Sequence, residues 1–149
     1  MIQPWTGIVV VKARQEDAGA VLDLLKAEHL PPDGLLDHLD TTFVARQDAR
    51  IVGSAALEVY ADGALLRSVA VASELKGRGV GRELTNAALT AARELRVPAL
   101  YLLTTTADGY FPKFGFERIT RAEVPASVQT SVEFTSACPA SAIVMRKRL

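Results

Sequence analysis

The residues best suited to chemistry in this chain lie between Val69 and Leu84. An apolar, β-prone run, Val69-Ala70-Val71-Ala72, gives way to a short polar link, and Gly77, Gly79 and Gly81 then alternate through a turn. A helical pattern starts there, with Val80, Leu84, Ala87, Ala88, Ala91 and Leu95 on one stripe. Glycine lets the backbone take positive φ and leaves no side chain between the amides and a ligand. Free N–H groups at the start of a helix form a nest of partial positive charge that suits a phosphate or pyrophosphate. Lys76, Arg78 and Arg82 bring formal positive charge to the same place. The pattern predicts an anion cradle.

Spacing narrows the choice of anion. A nucleotide-binding P-loop needs Gly-x-x-x-x-Gly-Lys-Ser/Thr, a string that does not occur here. A dinucleotide-binding fingerprint needs glycine where Arg82 stands, and it belongs in a first βα unit. Here the turn comes halfway along the chain, after what reads as a β-meander. The string resembles instead the Arg/Gln-x-x-Gly-x-Gly/Ala signature of the GNAT superfamily of N-acetyltransferases, as Lys76-Gly77-Arg78-Gly79-Val80-Gly81. Lys76 in place of Arg or Gln keeps the charge and loses the planar fork.

A second string, Thr104 to Phe116, resembles the superfamily's Asn-x-x-Ala-x-x-Leu-Tyr-x-Lys-x-Gly-Phe. Ala107, Lys113, Gly115 and Phe116 match, while Thr104 stands where Asn would and Phe111 where Tyr would. Within the superfamily, Leu66 to Val71, Leu102 to Thr106 and Cys138 to Ala142 look like an arsenic-resistance-associated group. The resemblance implies acetyl transfer from acetyl-CoA to an amine. It implies that Lys76, Gly77, Arg78, Gly79, Val80, Gly81 and Arg82 hold the cofactor's pyrophosphate. It further implies that backbone groups of Val69 and Val71 hold the pantetheine and polarise the thioester, and that Thr104, Phe111 and Lys113 complete the cofactor site.

Such a transfer needs an unprotonated amine, a donor for the developing oxyanion and a proton for the departing thiolate. Many members use a tyrosine at the position of Phe111 as the acid, and phenylalanine has no proton to give. Tyr110 is adjacent, although one residue along a helix turns a side chain by about 100°. Tyr110, a water, Ser141 or Cys138 could serve, or the thiolate could leave unassisted.

For the acceptor, Glu58 and Arg67 interrupt otherwise apolar strands. A two-residue turn at Asp62-Gly63 would set Glu58 opposite Arg67. Two readings stay open. One is an ion pair on a solvated face, worth under about 1 kcal/mol. In the other, Glu58 accepts a proton from the substrate ammonium while Arg67 grips a carboxylate bidentately. Ser68 and Ser141 are the further expected acceptor contacts. A Glu–Arg pair suits an amino-acid-like acceptor, and an arsenical or phosphorus analogue of one falls in that class. The alternative function is an acyl-CoA-binding module with little or no transfer, for which Phe111 is the argument.

These residues need a scaffold, and the chain reads as one. Its 149 residues suffice for one domain, residues 1–149, with a sizeable core. Strands are expected at Gly7 to Lys12, Thr42 to Arg46, Ile51 to Tyr60, Ala64 to Val71, Ala99 to Thr105, Glu117 to Ile119 and Ser141 to Lys147. Helices are expected at Gln15 to His29, Asp33 to Leu39, the long one after the glycine loop, Asp108 to Phe114, and near Pro125 to Phe134. The order implies an α/β (α+β) domain: a mixed, mostly antiparallel central sheet of about six to seven strands flanked by helices.

Composition sets the remaining bounds. Hydrophobic residues are 49% of the chain, and 17 basic residues balance 17 acidic ones. No general attraction to nucleic acid or anionic membrane is expected from that balance. Cys138 is the single cysteine, and with His29 and His38 it shows no metal-ligand spacing. A cytoplasmic, metal-free protein taking a small-molecule amine is expected, with pairing as a homodimer left open.

Overall fold

The structure, a computed structural model, describes residues 7–149. Its strands are β1 (Ile8–Lys12), β2 (Thr42–Gln47), β3 (Arg50–Tyr60), β4 (Gly63–Val71), β5 (Ala99–Thr104), β6 (Glu117–Ile119) and β7 (Ile143–Arg148). They form one seven-stranded sheet in the order β1-β2-β3-β4-β5-β7-β6. Only the β4–β5 neighbours run parallel; the other pairs are antiparallel. The parallel step is bridged by the main helix, α2 (Val80–Glu94), the crossover that a parallel pair requires.

Helix α2 buries Val80, Leu84, Thr85, Ala88, Leu89 and Ala92. It lies directly on the sheet: a Cβ on Gly53 of β3 would meet Leu84 Cδ1 at 2.7 Å. Leu95, expected on the apolar stripe, is 50% exposed, because it caps the helix end and Val97 turns into the core instead. Helix α1 (Ala18–Ala27) buries Val21, Leu24 and Leu25. Its start is tied to β2 through Asp17, which accepts from the Arg14 N–H (2.7 Å) and from Arg46 Nη1 (2.8 Å). Those bonds hold the Asp17 carboxyl below its ordinary pKa, the Arg46 contact contributing most.

Three expected helices are replaced by short 3-10 and π segments. The segment at Asp33 is a 3-10 turn, Leu35–Thr41, entered through Gly34 at φ 75°. The one at Asp108 is Phe111–Phe114, closed by Gly115 at φ 93°. Pro125 to Phe134 carries two short pieces, Val128–Thr130 and a π-turn at Glu133–Ala137. Val128, Thr130 and Val132 are β-branched and weaken helical propensity there.

Candidate active site

The cleft is made by two neighbouring strands that part company. β4 and β5 pair only at Ala64–Leu100 and Leu65–Tyr101. Along its other edge β4 stays on β3, but the register shifts between Ser54 and Ala56, and Ser68 sits at φ 58°. An extra residue of this kind bends the bulged strand and raises its twist. The Ser68 carbonyl accepts from Ser54 Oγ at 2.7 Å, which pins the bulge. Beyond Leu65, β4 therefore has no ladder on its β5 side, and a cavity of about 1150 Å³ opens between the strands. Val69 and Val71 line it from β4, and Leu102 to Thr104 from β5.

One end of the cavity is the glycine loop. Gly77 and Gly79 take φ of 80° and 88°, the left-handed region that side chains other than glycine resist. Gly79 caps α2, and the first helical bond runs from the Glu83 N–H to the Gly79 carbonyl at 3.1 Å. The amides of Val80, Gly81 and Arg82 precede that ladder and have no acceptor within the helix. Gly81 is small for a different reason from the other two: a Cβ there would stand 3.1 Å from Tyr110 Oη and 3.5 Å from Val71 Cγ2. Lys76, Gly77, Gly79, Gly81 and Arg82 all border the cavity.

Two expected loop contacts lie elsewhere. The Val80 side chain is in the core, leaving only its backbone for a ligand, and Arg78 points outward from the loop without bordering the cavity. Lys76 is also partly committed, with Nζ 2.6 Å from Glu28 Oε1 at the end of α1. Across the cavity, Thr104 Oγ1 accepts from the Ala107 N–H at 2.8 Å and so shapes the turn after β5. Lys113 Nζ lies 5.6 Å from the centre of the Tyr110 ring. Tyr110 and Lys113 both border the cavity. Burial raises the Tyr110 pKa above its usual 10, so the phenol keeps its proton at neutral pH. Phe111, 7% exposed, packs edge-on against Phe116 at 5.8 Å between ring centres.

The other end is a buried charge cluster, and here the expected register is corrected. Glu58 faces Leu65, and Arg67 faces Ala56. The turn falls one residue earlier than Asp62-Gly63, so the pair meets diagonally, which long side chains can do. The contact itself is intact: Arg67 Nη1 donates to Glu58 Oε2 at 2.8 Å, with both residues almost fully buried. Of the two open readings, the ion pair on a solvated face is therefore excluded, since the pair is interior.

Arg67 spends most of its donors on the protein. Besides Glu58, it donates to the Asp33 carbonyl (2.6 Å), the Pro31 carbonyl (3.0 Å) and Ser68 Oγ (3.0 Å). Among the described residues these bonds use four of the five guanidinium N–H groups, so no bidentate grip on a carboxylate is available in this arrangement. Glu58 also accepts from the Tyr60 hydroxyl and does not border the cavity. Although burial opposes it, the bonds from Tyr60 and Arg67 hold the Glu58 carboxyl below the usual glutamate value. Ser68 borders the cavity; Ser141 is exposed and does not.

A residue that sequence reasoning passed over completes the cluster. Glu133, 4% exposed, borders the cavity with Oε2 3.3 Å from Arg67 Nε. Burial, aided by the nearby Glu58 charge and opposed by Arg67, pushes its pKa up to about 7. Its signal was present: Glu133 is the only charged residue between Val124 and Met145. Cys138 is half-buried beside it, and burial together with the Glu133 charge pushes the thiol up to about 12. A thiol so rarely ionised is a poor nucleophile at neutral pH.

A strand cleft thus runs from an amide-lined glycine loop at one end to a buried charge cluster at the other. A family model described as an acetyltransferase (GNAT) domain matches residues 38–118, and the chain belongs to that family, whose co-substrate is acetyl-CoA. An amino-acid acetyltransferase of Mycobacterium tuberculosis is 29% identical over 131 residues, covering 80% of this chain and 74% of the relative. An uncharacterised N-acetyltransferase of Chlorobaculum tepidum is 28% identical over 97 residues, and an amino-acid acetyltransferase of Aeromonas salmonicida 27% over 125. The matches cover 64% and 76% of this chain, but only 62% and 28% of those two relatives.

Among solved structures, a Mycobacterium tuberculosis protein in complex with CoA superposes with a TM-score of 0.80 at 25% identity, covering 95% of this chain and 99% of that one. The N-acetylglutamate synthase of Neisseria gonorrhoeae, complexed with coenzyme A and N-acetyl-glutamate, gives 0.81 at 20% identity over 95% of this chain and 35% of that one.

Proposed function

We propose that this domain, residues 1–149, moves the acetyl group of acetyl-CoA to the amine of a small, amino-acid-like acceptor by direct attack on the thioester. The observation that carries this is one continuous cavity joining the glycine loop to the Arg67–Glu133 cluster along β4. From Val71 to Arg67 is four residues of strand, at most about 13 Å at the usual rise and less with the bulge at Ser68. That span suits a pantetheine arm running from the loop to a reacting centre.

Each group then has a part. The amides that precede the α2 ladder, with Arg82 and Lys76, hold the pyrophosphate. Unladdered backbone groups of Val69 and Val71 hold the pantetheine and polarise the thioester carbonyl. The amine nitrogen attacks that carbon, the carbon–sulfur bond breaks, and the thiolate takes a proton. Tyr110, protonated and bordering the cavity, is the donor in this scheme. Glu58 and Ser68 act through Arg67, holding it against the cavity wall. The acceptor class draws support from the two amino-acid acetyltransferases among the relatives. An arsenical or phosphorus amino acid is the finer form of the same proposal, as are a cytoplasmic setting and pairing as a homodimer.

Phe111 favours a second reading, an acyl-CoA-binding domain with little transfer. Thiol release from acetyl-CoA decides between them, measured over L-glutamate, L-glutamine, 4-aminobutyrate and arsenic or phosphorus analogues of amino acids. Amine-dependent release well above hydrolysis supports the enzyme. Binding of acetyl-CoA with no amine-dependent release supports the second reading.

A further inference from the structure

We infer that Glu133, rather than Glu58, is the base that takes the proton from the acceptor's ammonium. The inference rests on the acetyltransferase reading and adds to it the residue that readies the nucleophile. Position separates the two carboxylates. Glu133 borders the cavity, whereas Glu58 lies behind Arg67 and does not. Commitment separates them further. Glu58 is clamped by hydrogen bonds from Tyr60 and Arg67. Glu133 meets Arg67 through Nε at 3.3 Å, an N–H already given to Ser68 Oγ at 3.0 Å, and otherwise accepts from the Cys138 thiol, a weak donor that leaves lone pairs on the carboxylate. A base needs lone pairs free to receive a proton from the substrate.

The local backbone holds Glu133 in place without using its carboxylate. It opens a π-turn, a rare form that occurs often at functional sites. The Glu133 N–H points to Ser131 Oγ at 3.2 Å, and its carbonyl accepts from the Cys138 N–H, also at 3.2 Å. The charged and titratable groups around it are Arg67 on β4, Glu58 on β3, Asp33 on the loop before β2, and Cys138 at the end of its own turn. Arg67 is the sole cation of that set and is shared with Glu58, so a second full negative charge is poorly compensated. Burial is the main cause that brings the carboxyl near neutrality, with the Glu58 charge adding to it, and that is the range in which a general base works best at physiological pH. An incoming ammonium supplies the missing positive charge.

The proton balance is complete without a further reactant. Glu133 carboxylate takes one proton from the ammonium, leaving a neutral amine that attacks the thioester carbon. As the tetrahedral species collapses, the carbon–sulfur bond breaks and the departing thiolate gains a proton from Tyr110, which is restored by the second amine proton. Neutral Glu133 returns its proton to solvent through the open cavity. One ammonium and one thioester give one amide, one thiol and one released proton.

The test compares Glu133→Gln, Glu133→Asp and Glu58→Gln with the wild type, using L-glutamate and 4-aminobutyrate as acceptors across pH 5.5 to 9. The wild-type kcat/KM for the acceptor is expected to rise with a midpoint near pH 7, the value burial gives Glu133 in the free enzyme. Glu133→Gln should lower kcat by roughly 100-fold or more and abolish that midpoint, with acetyl-CoA affinity by calorimetry unchanged. Glu133→Asp should recover part of the rate, and Glu58→Gln should keep the midpoint. Wild-type kcat and pH profile in Glu133→Gln overturn the inference, as does loss of the midpoint only in Glu58→Gln. Wild-type turnover with an indifferent Glu133→Gln leaves the acetyltransferase reading standing. Absence of any amine-dependent thiol release in the wild type overturns that reading and the base with it.

Discussion

Replacing Glu133 by glutamine should stabilise the fold at neutral and alkaline pH, a result opposite to that of most substitutions at a buried ion pair. The carboxyl has an ordinary value of 4.5 and is pushed up to about 7 in the folded protein. The folded state therefore holds this proton more tightly than the unfolded chain does. Below pH 4.5 the group is neutral in both states and costs nothing; as pH rises from 4.5 towards 7 the unfolded chain gains by ionising and the fold loses relative stability. At about 1.4 kcal/mol per pH unit, the full gap amounts to roughly 3 kcal/mol above pH 7. Glutamine keeps the shape and never ionises. For a domain of this size that corresponds to a gain of roughly 6–12 °C in melting temperature at pH 8 relative to wild type, shrinking towards pH 5. Asp17, Glu28 and Glu58 have lowered values, so their contributions are complete above their ordinary range and are lost only in more acid solution. Thermal melts of both proteins at pH 5, 6, 7 and 8 read the effect directly. Parallel curves, with a difference independent of pH, would falsify the reasoning.

Three other outcomes follow from the geometry. Gly79→Ala forces a Cβ into the φ 88° cap of α2, at a cost of about 1–2 kcal/mol, and calorimetry should show weaker acetyl-CoA binding in the folded variant. Arg67→Ala leaves Glu58 and Glu133 buried without their cation and should cost about 3–5 kcal/mol in urea unfolding, whereas a raised acceptor KM at unchanged stability would contradict the structural role assigned to it. Tyr110→Phe should lower kcat with little change in acetyl-CoA affinity; near-normal turnover would point to water or to unassisted thiolate release. Phe111→Tyr in that background should recover part of the rate, since Phe111 also borders the cavity; no recovery would show that its ring does not aim at the sulfur.

Much of this architecture was legible in the sequence because local patterns were strong. The glycine alternation before an amphipathic run placed the start of α2 at Val80, and the apolar runs placed all seven strands within a few residues. The lining of the glycine-loop end of the cavity follows from the same strings, apart from Arg78 and the Val80 side chain. What the sequence hid was non-local. The bulge at Ser68 depends on a left-handed serine pinned by Ser54, and no turn residue announces it. A one-residue error at the β3–β4 turn moved Glu58 from a diagonal to a facing partner, and only the length of the two side chains kept the contact right. Glu133 escaped notice because its meaning lies in burial against Arg67, which is far from it in sequence. The saturation of Arg67 was equally invisible: Pro31 and Asp33 take its N–H groups through backbone carbonyls, which carry no residue identity.

The central claim is direct transfer between two ligands held in one cleft. Acetyl-CoA labelled with carbon-13 at the acetyl carbonyl, incubated with the protein and L-glutamate or another amine that releases thiol, tests it most directly by NMR and intact-protein mass. The account predicts that the label moves to the acceptor's amide in step with thiol release, and that no acetylated protein forms, in keeping with the unreactive Cys138 thiol. Label on the protein, or label recovered only as free acetate, would contradict it.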